Sequence, residues 1–473
     1  MDITKALEEL GHKTIGESFY AQAAVWRSWY RGEADKFHSY RVRNGDRVVS
    51  CKRYSLGMGK KLCEDIASLL MNEKVKITLE GEREQEYIDS VFAANNFWVK
   101  INEYQELKAA VGTAAYIPRV TGALVTVDGA LTGEADGIAI DYVTVEHIRP
   151  LAWSNGIVTE CAFDSVTTVN GEDYLYLQIH RKNDSGLYEI ENHIYRLHNG
   201  SLTETELSGV KGFERVPAVI HTGSDKRQFV IDRLNIVNNI DEGLPLGIPV
   251  FANAIDILKG VDIAYDSYVN EFVLGKKRIM VKPSATNYID GEPVFDSTDL
   301  VYYVLPEDAG DDTVIKEIDM SLRTAEHNTG IQDQLNLLSS KCGFGENHYK
   351  FERGSVSTAT QIISENSSLF RTIKKHEIIL ESVLTELCRI LLRLGNTAMG
   401  QGLDEDVKIT INFDDTIIED KQSEFIRDMQ LLAAGVLNDW EMRVKYLGED
   451  EETAKKMMPG MEELTEPVQD EVE

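Results

Sequence analysis

The chain has 473 residues, with 79 acidic against 49 basic side chains, a formal net charge of −30 and 42% hydrophobic residues. That length exceeds one ordinary core, so two or more domains are expected, and the hydrophobic share excludes wholesale disorder. So large an acidic surplus excludes a protein that grips nucleic acid by counterion release, which needs clustered Lys and Arg, and suits a surface that repels DNA.

The opening decapeptide, MDITKALEEL, has neither the basic start nor the apolar core expected of a signal peptide. No run of 18 apolar residues is present to span a membrane. Five scattered cysteines, Cys51, Cys63, Cys161, Cys342 and Cys388, form no CxxC and read as buried thiols in a reducing compartment. The first hundred residues read as helical with short breaks. One helix covers residues 21–30, carries Trp26, Trp29 and Tyr30 with the two tryptophans expected in the core, and ends at Arg31-Gly32. A second covers 60–72, with Leu62, Ile66, Leu69 and Leu70 on one side. The nearest approach to a phosphate cradle, LGMGKKL at 56–62, lacks the first glycine at the required spacing and the Ser/Thr after the lysine. It reads as a turn into a helix.

From about 120 to 219 the pattern switches to period two, with strands at 138–145 and 174–179. Asn155-Gly156, Asn170-Gly171 and Asn199-Gly200 supply the positive φ angles of tight hairpins, and Asp128-Gly129 and Asp136-Gly137 are weaker versions. An antiparallel hairpin unit is therefore expected. His193 and His198 fall in its strand-turn region and read as surface or hairpin histidines.

Helical periodicity returns at 248. Pro249 suits a first turn. Phe251, Ile255, Leu258, Tyr265, Val269 and Phe272 then recur at steps of four and three, with Asp262 in the one skipped place. Ala254, Ile257, Val261, Ala264 and Tyr268 widen this face. Gly275 and the cations Lys276, Lys277 and Arg278 suit a helix C-terminus. Short strands and acidic turns (Asp290-Gly291, then 307–312) fill 280–320, and 321–338 is helical again. Residues 341–356 break the pattern with Gly343, Gly345 and Gly354. Thr358-Ala-Thr-Gln361 then looks like a capping box. It opens a long helix with Ile362, Leu369, Phe370, Ile373, Leu380, Val383, Leu384, Leu387, Ile390, Leu391 and Leu394 on its apolar face and Gly395 as its stop. A strand at 407–413 is followed by Asp414, Asp415, Glu419 and Asp420, then by short helices at 423–434 and 439–447. The last 26 residues hold ten acids against Lys455 and Lys456 and are expected to fray. No internal repeat is present.

The order of turn, long helix, basic knot and strand resembles the stem-to-clip passage of tailed-bacteriophage portal proteins, the type common in phages of Gram-positive bacteria. Pro245, Gly247, Phe251, Ala252, Ala254, Asp256, Asp262, Tyr265, Asp266, Glu271, Lys277, Arg278 and Ile279 carry the resemblance. Residues 29–32 (WYRG), 147–163 with Trp153-Ser-Asn-Gly156, 229–283 and 409–420 with Phe413-Asp414-Asp415 are similar to the same family. The resemblance implies an α+β portal fold with a mixed α/β wing, a two-helix stem, a small α/β clip, a long helix after a tunnel loop, and a short α-helical crown. It puts the wing at 1–247, with its β-rich hairpin unit at 120–219. The stem helices fall at 248–275 and 321–342, with the clip between them at 276–320. The tunnel loop falls at 343–357, the long wing helix at 358–395, a wing strand at 396–422, and the crown with its acidic tail at 423–473.

What the family does is expected here on the same terms. Twelve copies would form a ring at one capsid vertex, a channel through which double-stranded DNA is packaged and ejected. Asn347, His348, Tyr349, Lys350, Phe351 and Arg353 of the tunnel loop would face the DNA. Lys276, Lys277, Arg278, Glu292, Asp296 and Asp299 of the clip would face terminase and the head-tail adaptor. Major capsid and scaffolding proteins are further expected partners, and the virion, after assembly in the host cytoplasm, is the expected location. No catalytic residue, metal, cofactor or membrane contact is expected, and the hydrolysis driving packaging would belong to the terminase. Two competing readings are a metal-dependent phage nuclease using the acidic cluster at 414–420, and a minor head protein.

Overall fold

The computed structural model describes residues 3–122, 129, 135–274, 278–281, 287–289, 292–294, 302–304, 315–318, 321–346, 348–350, 359–413, 421–447 and 449–456. Among these it contains eleven α-helices and eighteen strands, in an α+β arrangement.

Helix α1 (Ile3–Glu9) precedes α2 (Glu17–Tyr30), which buries Phe19, Tyr20, Ala23, Trp26 and Trp29 along one face. The expected helical run is then interrupted by a hairpin of β1 (Ser39–Asn44) and β2 (Arg47–Lys52). Gly45 at φ 60° leads its two-residue Gly45-Asp46 turn, the glycine-first type that matches strand twist. In α3 (Met58–Leu70), buried Leu62, Ile66 and Leu70 form the predicted face. A Cβ at Gly59 would lie 2.6 Å from the Trp29 carbonyl oxygen. The GMGK stretch is thus a helix start pressed onto α2. Strand β3 (Lys76–Leu79), α4 (Glu82–Ala94) and α5 (Phe97–Val111) complete this layer.

The hairpin unit holds β4 (Thr113–Thr121), β5 (Gly137–Thr144), β6 (Ile148–Ser154), β7 (Ile157–Val169), β8 (Glu172–Lys182), β9 (Tyr188–His198), β10 (Ser201–Thr205), β11 (Val219–His221) and β12 (Val230–Arg233). β6 to β10 form an antiparallel meander with β11 also on β9, and a second sheet runs β12-β4-β5. Its three Asn-Gly pairs make three of the four meander turns, with positive φ at both residues. Asp136-Gly137 makes no such turn: Gly137 opens β5 opposite Thr121. Asp128 lies outside the described residues.

Helix α6 (Ile255–Leu274) begins seven residues later than its periodicity predicts. The segment before it is claimed by tertiary contacts: Leu246, Ile248 and Val250 are buried, and the Val250 N–H donates to the Ala109 carbonyl at 3.0 Å. Strands β13 (Arg278–Val281), β14 (Asn287–Ile289), β15 (Glu292–Val294), β16 (Tyr302–Val304) and β17 (Ile315–Ile318) follow. β13 pairs with β16 in parallel and with β17 antiparallel, and β14 pairs with β15. Among the described residues of this segment there is no helix, so only the strand half of the expected small α/β clip is present there. Asp290-Gly291 and 307–312 lie outside those residues.

After α7 (Thr324–Lys341) comes α8 (Ala359–Met399), about 60 Å long at the usual rise. Leu369, Ile373, Leu380, Val383, Leu384, Leu387, Ile390, Leu391 and Leu394 are buried along it as predicted. Gly395 does not stop it. A Cβ there would lie 2.7 Å from the Tyr87 ring, so this glycine lets α4 and α8 touch, and Gly400 at φ 62° follows the true end. Thr358 of the expected capping box lies outside the described residues.

Strand β18 (Ile409–Asn412) pairs antiparallel with β3. Helices α9 (Lys421–Ala433), α10 (Asp439–Leu447) and α11 (Glu451–Lys456) end the described chain. The main core joins α2–α8 to the β12-β4-β5 sheet, and a smaller one lies between α1 and the meander. Four cysteines are buried and Cys51 is half-buried.

Candidate functional site

The long-helix pair is antiparallel. A Cβ at Gly260 would meet the Gln334 side chain at 2.5 Å, the Tyr268 and His327 rings lie 6.0 Å apart, and Arg323 clasps Glu271. Arg323 donates to both Glu271 carboxylate oxygens, at 3.0 and 2.8 Å. Those hydrogen bonds, and one from the Arg323 backbone, hold the Glu271 carboxyl down at about 2. This clasp closes the neck from which β13–β17 emerge. Arg278 and Glu292 fall in β13 and β15, while Lys276, Lys277, Asp296 and Asp299 lie outside the described residues.

At the other end α6 is locked by Asp262. Its carboxylate accepts from Leu56 N–H (2.8 Å) and Ser55 Oγ (3.1 Å) and meets His38 Nε2 at 2.9 Å. Because His38 Nδ1 accepts from Ala34 N–H at 2.8 Å, the proton sits on the nitrogen facing Asp262. One turn on, Asp266 accepts from Tyr54 N–H at 3.0 Å. Both feet of the β1–β2 hairpin are therefore tied to one face of α6. The skipped place in the apolar stripe is this anchor.

The loop after α7 starts with Gly343 and Gly345 in the left-handed region and buried Phe344 between them. The His348 and Tyr349 rings pack on Phe344 at 4.9 and 5.8 Å. Tyr349 OH donates to Asp65 of α3 at 2.8 Å, and Gln332 donates to the Tyr349 carbonyl at 2.7 Å. Burial and the Asp65 charge push the tyrosine hydroxyl far above its ordinary range. Although burial opposes it, hydrogen bonds from His348, Lys61 and Tyr349 hold Asp65 low. The loop's opening is thus pinned to α3, and Lys350 is exposed at its described end. Asn347, Phe351 and Arg353 lie outside the described residues.

Among the described residues no three His, Cys, Asp or Glu side chains converge as a metal site would require, and the cluster at 414–420 lies outside them. Burial pushes the Cys342 and Cys388 thiols up to about 12, unsuited to nucleophilic chemistry. No helix among the described residues is long and apolar enough to cross a membrane.

A family model described as phage portal protein, SPP1 Gp6-like, matches residues 13–457. The chain belongs to that family. No curated protein matches it. Portal-family membership places this chain in the virion capsid as a structural protein and one subunit of a homo-oligomeric ring. Missed by sequence reading were the β1–β2 hairpin and its anchor. Gly45-Asp46 between alternating Tyr40, Val42 and Val49, Cys51 was the available signal.

Proposed function

We propose that twelve copies of this protein form the channel at one capsid vertex through which double-stranded DNA is packaged and ejected. The family match across residues 13–457 carries the reading. The α6–α7 pair supports it: Ile263, Phe272, Val273, Leu322 and Leu337 on and beside these helices stand 43–56% exposed, apolar area that a neighbouring copy would bury. The net charge of −30 per chain supports it too, because an acidic wall repels phosphate and lets duplex slide. Residues 276–320 would be the docking platform for terminase and the head-tail adaptor, with Lys276, Lys277, Arg278, Glu292, Asp296 and Asp299 at its surface. Scaffolding and major capsid proteins would hold the ring at its vertex, after assembly in the host cytoplasm. Lys350, Phe351 and Arg353 would touch the DNA, beyond the anchored His348 and Tyr349.

Native mass spectrometry tests the ring. A species near twelve times 53.2 kDa is expected. A single chain, alone and with scaffolding protein, would overturn it. For the loop, deletion of 350–354 should leave the ring intact and abolish packaging; normal packaging would remove the assignment.

A further inference from the structure

Among the described residues the β1–β2 ribbon pairs only with itself apart from an Asp35–Ser39 bridge at its foot. From residue 41 onward its described side chains are exposed until Cys51. Its register sorts them onto two faces, because directly opposed residues share a side. Tyr40 with Cys51 and Val42 with Val49 put an apolar patch on one face, with Arg47 at the tip on the same side. Arg41 with Ser50 and Ser39 with Lys52 make the other cationic, and Arg43 lies beside Val48 on it. Val42 and Val49 stand 44% and 45% exposed.

Two physical facts make this arrangement informative. A two-stranded ribbon alone in water is marginal, so an uncovered apolar face on one calls for a cover. In a chain with 30 surplus acids, Arg41, Arg43, Arg47 and Lys52 have no carboxylate partner among the described residues, whereas Arg27, Arg227, Arg323 and Arg443 each do. The ribbon is also firmly rooted, since His38, Tyr54, Ser55 and Leu56 hold its feet to α6. Arg53 adds to this by lying over the Phe37 and Tyr40 rings at 4.2 and 4.9 Å.

We propose that residues 39–52 form an arm that seats on a second copy of this chain, the next subunit of the ring. Its valine face is covered by the neighbour, and its cations meet the neighbour's surplus carboxylates. Duplex DNA would satisfy the arginines but offers nothing to Val42 and Val49, which favours protein over nucleic acid. The inference rests on the ring reading and adds the element that joins the copies.

Benzoylphenylalanine at position 42 supplies a test that does not depend on ring mass. Illumination should join two copies covalently, with the linked peptide mapping outside residues 39–52. A ring of the expected mass with no such link would overturn the arm and leave the ring standing. A linked pair without a ring would do the reverse, and single chains without a link would overturn both. Arg41→Glu with Arg43→Glu, and separately Val42→Asp with Val49→Asp, should keep the wild-type circular dichroism while at least tenfold more protein is needed to assemble. Unchanged assembly in both pairs would overturn the arm. So would a normal ring from the arginine pair that had lost only its retention on immobilised duplex DNA.

Discussion

Asp262 shows how much one carboxylate can decide. It satisfies a buried histidine, a serine hydroxyl and a backbone N–H from two separate segments, and is itself 4% exposed. Asp262→Ala should cost about 3 kcal/mol, because it leaves the buried His38 and the half-buried Ser55 and Leu56 donors without a partner. Urea unfolding will show it. Two other histidines set an acid limit. Burial lowers His180 to about 3, and burial with nearby Lys108 and Lys375 lowers His376 to about 3. Their folded values lie below the unfolded 6.5, so the stability they permit is complete above pH 6.5 and drains as pH falls toward 3. The slope reaches about 1.4 kcal/mol per pH unit for each proton. Among the described residues His180 Nε2 has no hydrogen-bond partner, and its ring lines a cavity of about 310 Å³ between the two sheets. His180→Phe should therefore flatten the pH dependence in that window, as read from thermal midpoints at a series of pH values. From sequence, Asp262 was legible only as an interruption: periodicity marks where an acid is out of place, not what it binds.

At the scale of elements, two helical glycines should respond oppositely to the same change. Gly330 in α7 has open space where a Cβ would go, so Gly330→Ala should stabilise by about 0.8–1 kcal/mol. Gly395 in α8 lies against Tyr87, so Gly395→Ala should destabilise by about 1–3 kcal/mol despite alanine's better propensity. Chemical denaturation of both variants gives the sign. The contrast also explains what could be read from the chain. The Asn-Gly hairpins were legible because the positive φ they need is a local demand. Gly395 was expected to end a helix because a cap and a close contact both call for glycine, and only packing distinguishes them. The late start of α6 has the same origin: Pro249 suits a first turn, but the core claims Leu246 and Ile248, and the chain passes through a turn and a 3-10 segment, Ala252–Ala254, before the α-helix begins. The β1–β2 ribbon went unread because the surrounding pattern was helical and no buried face disciplined its alternation.

On the scale of the whole molecule, the main core ends near Phe413. A chain cut after residue 420 should keep the wild-type unfolding midpoint, since no described side chain of α9–α11 belongs to that core. A chain cut after 408 loses β18 and uncovers Ile77 and Leu79, and its midpoint should drop by roughly 3–4 °C for the ~3 kcal/mol lost, because so large a cooperative core has a large unfolding entropy. Differential scanning calorimetry of the two truncations separates these outcomes. The acidic surplus, legible at once, said which partners to exclude. The geometry by which copies meet was not, because a single chain's periodicity carries no record of its neighbours.

The β3–β18 pairing also sets a clock. Leu79 is opposite Ile409, 330 residues later in the chain. At about 5–20 residues per second, a ribosome delivers that partner roughly 15–65 s after the first strand has emerged. Throughout that interval β3 has a bare edge, only four residues long and beginning with Lys76. The helices around β3 can gather during synthesis, but the β3–β18 sheet cannot close until translation has passed Asn412, so a subunit able to join others exists only after that strand has emerged.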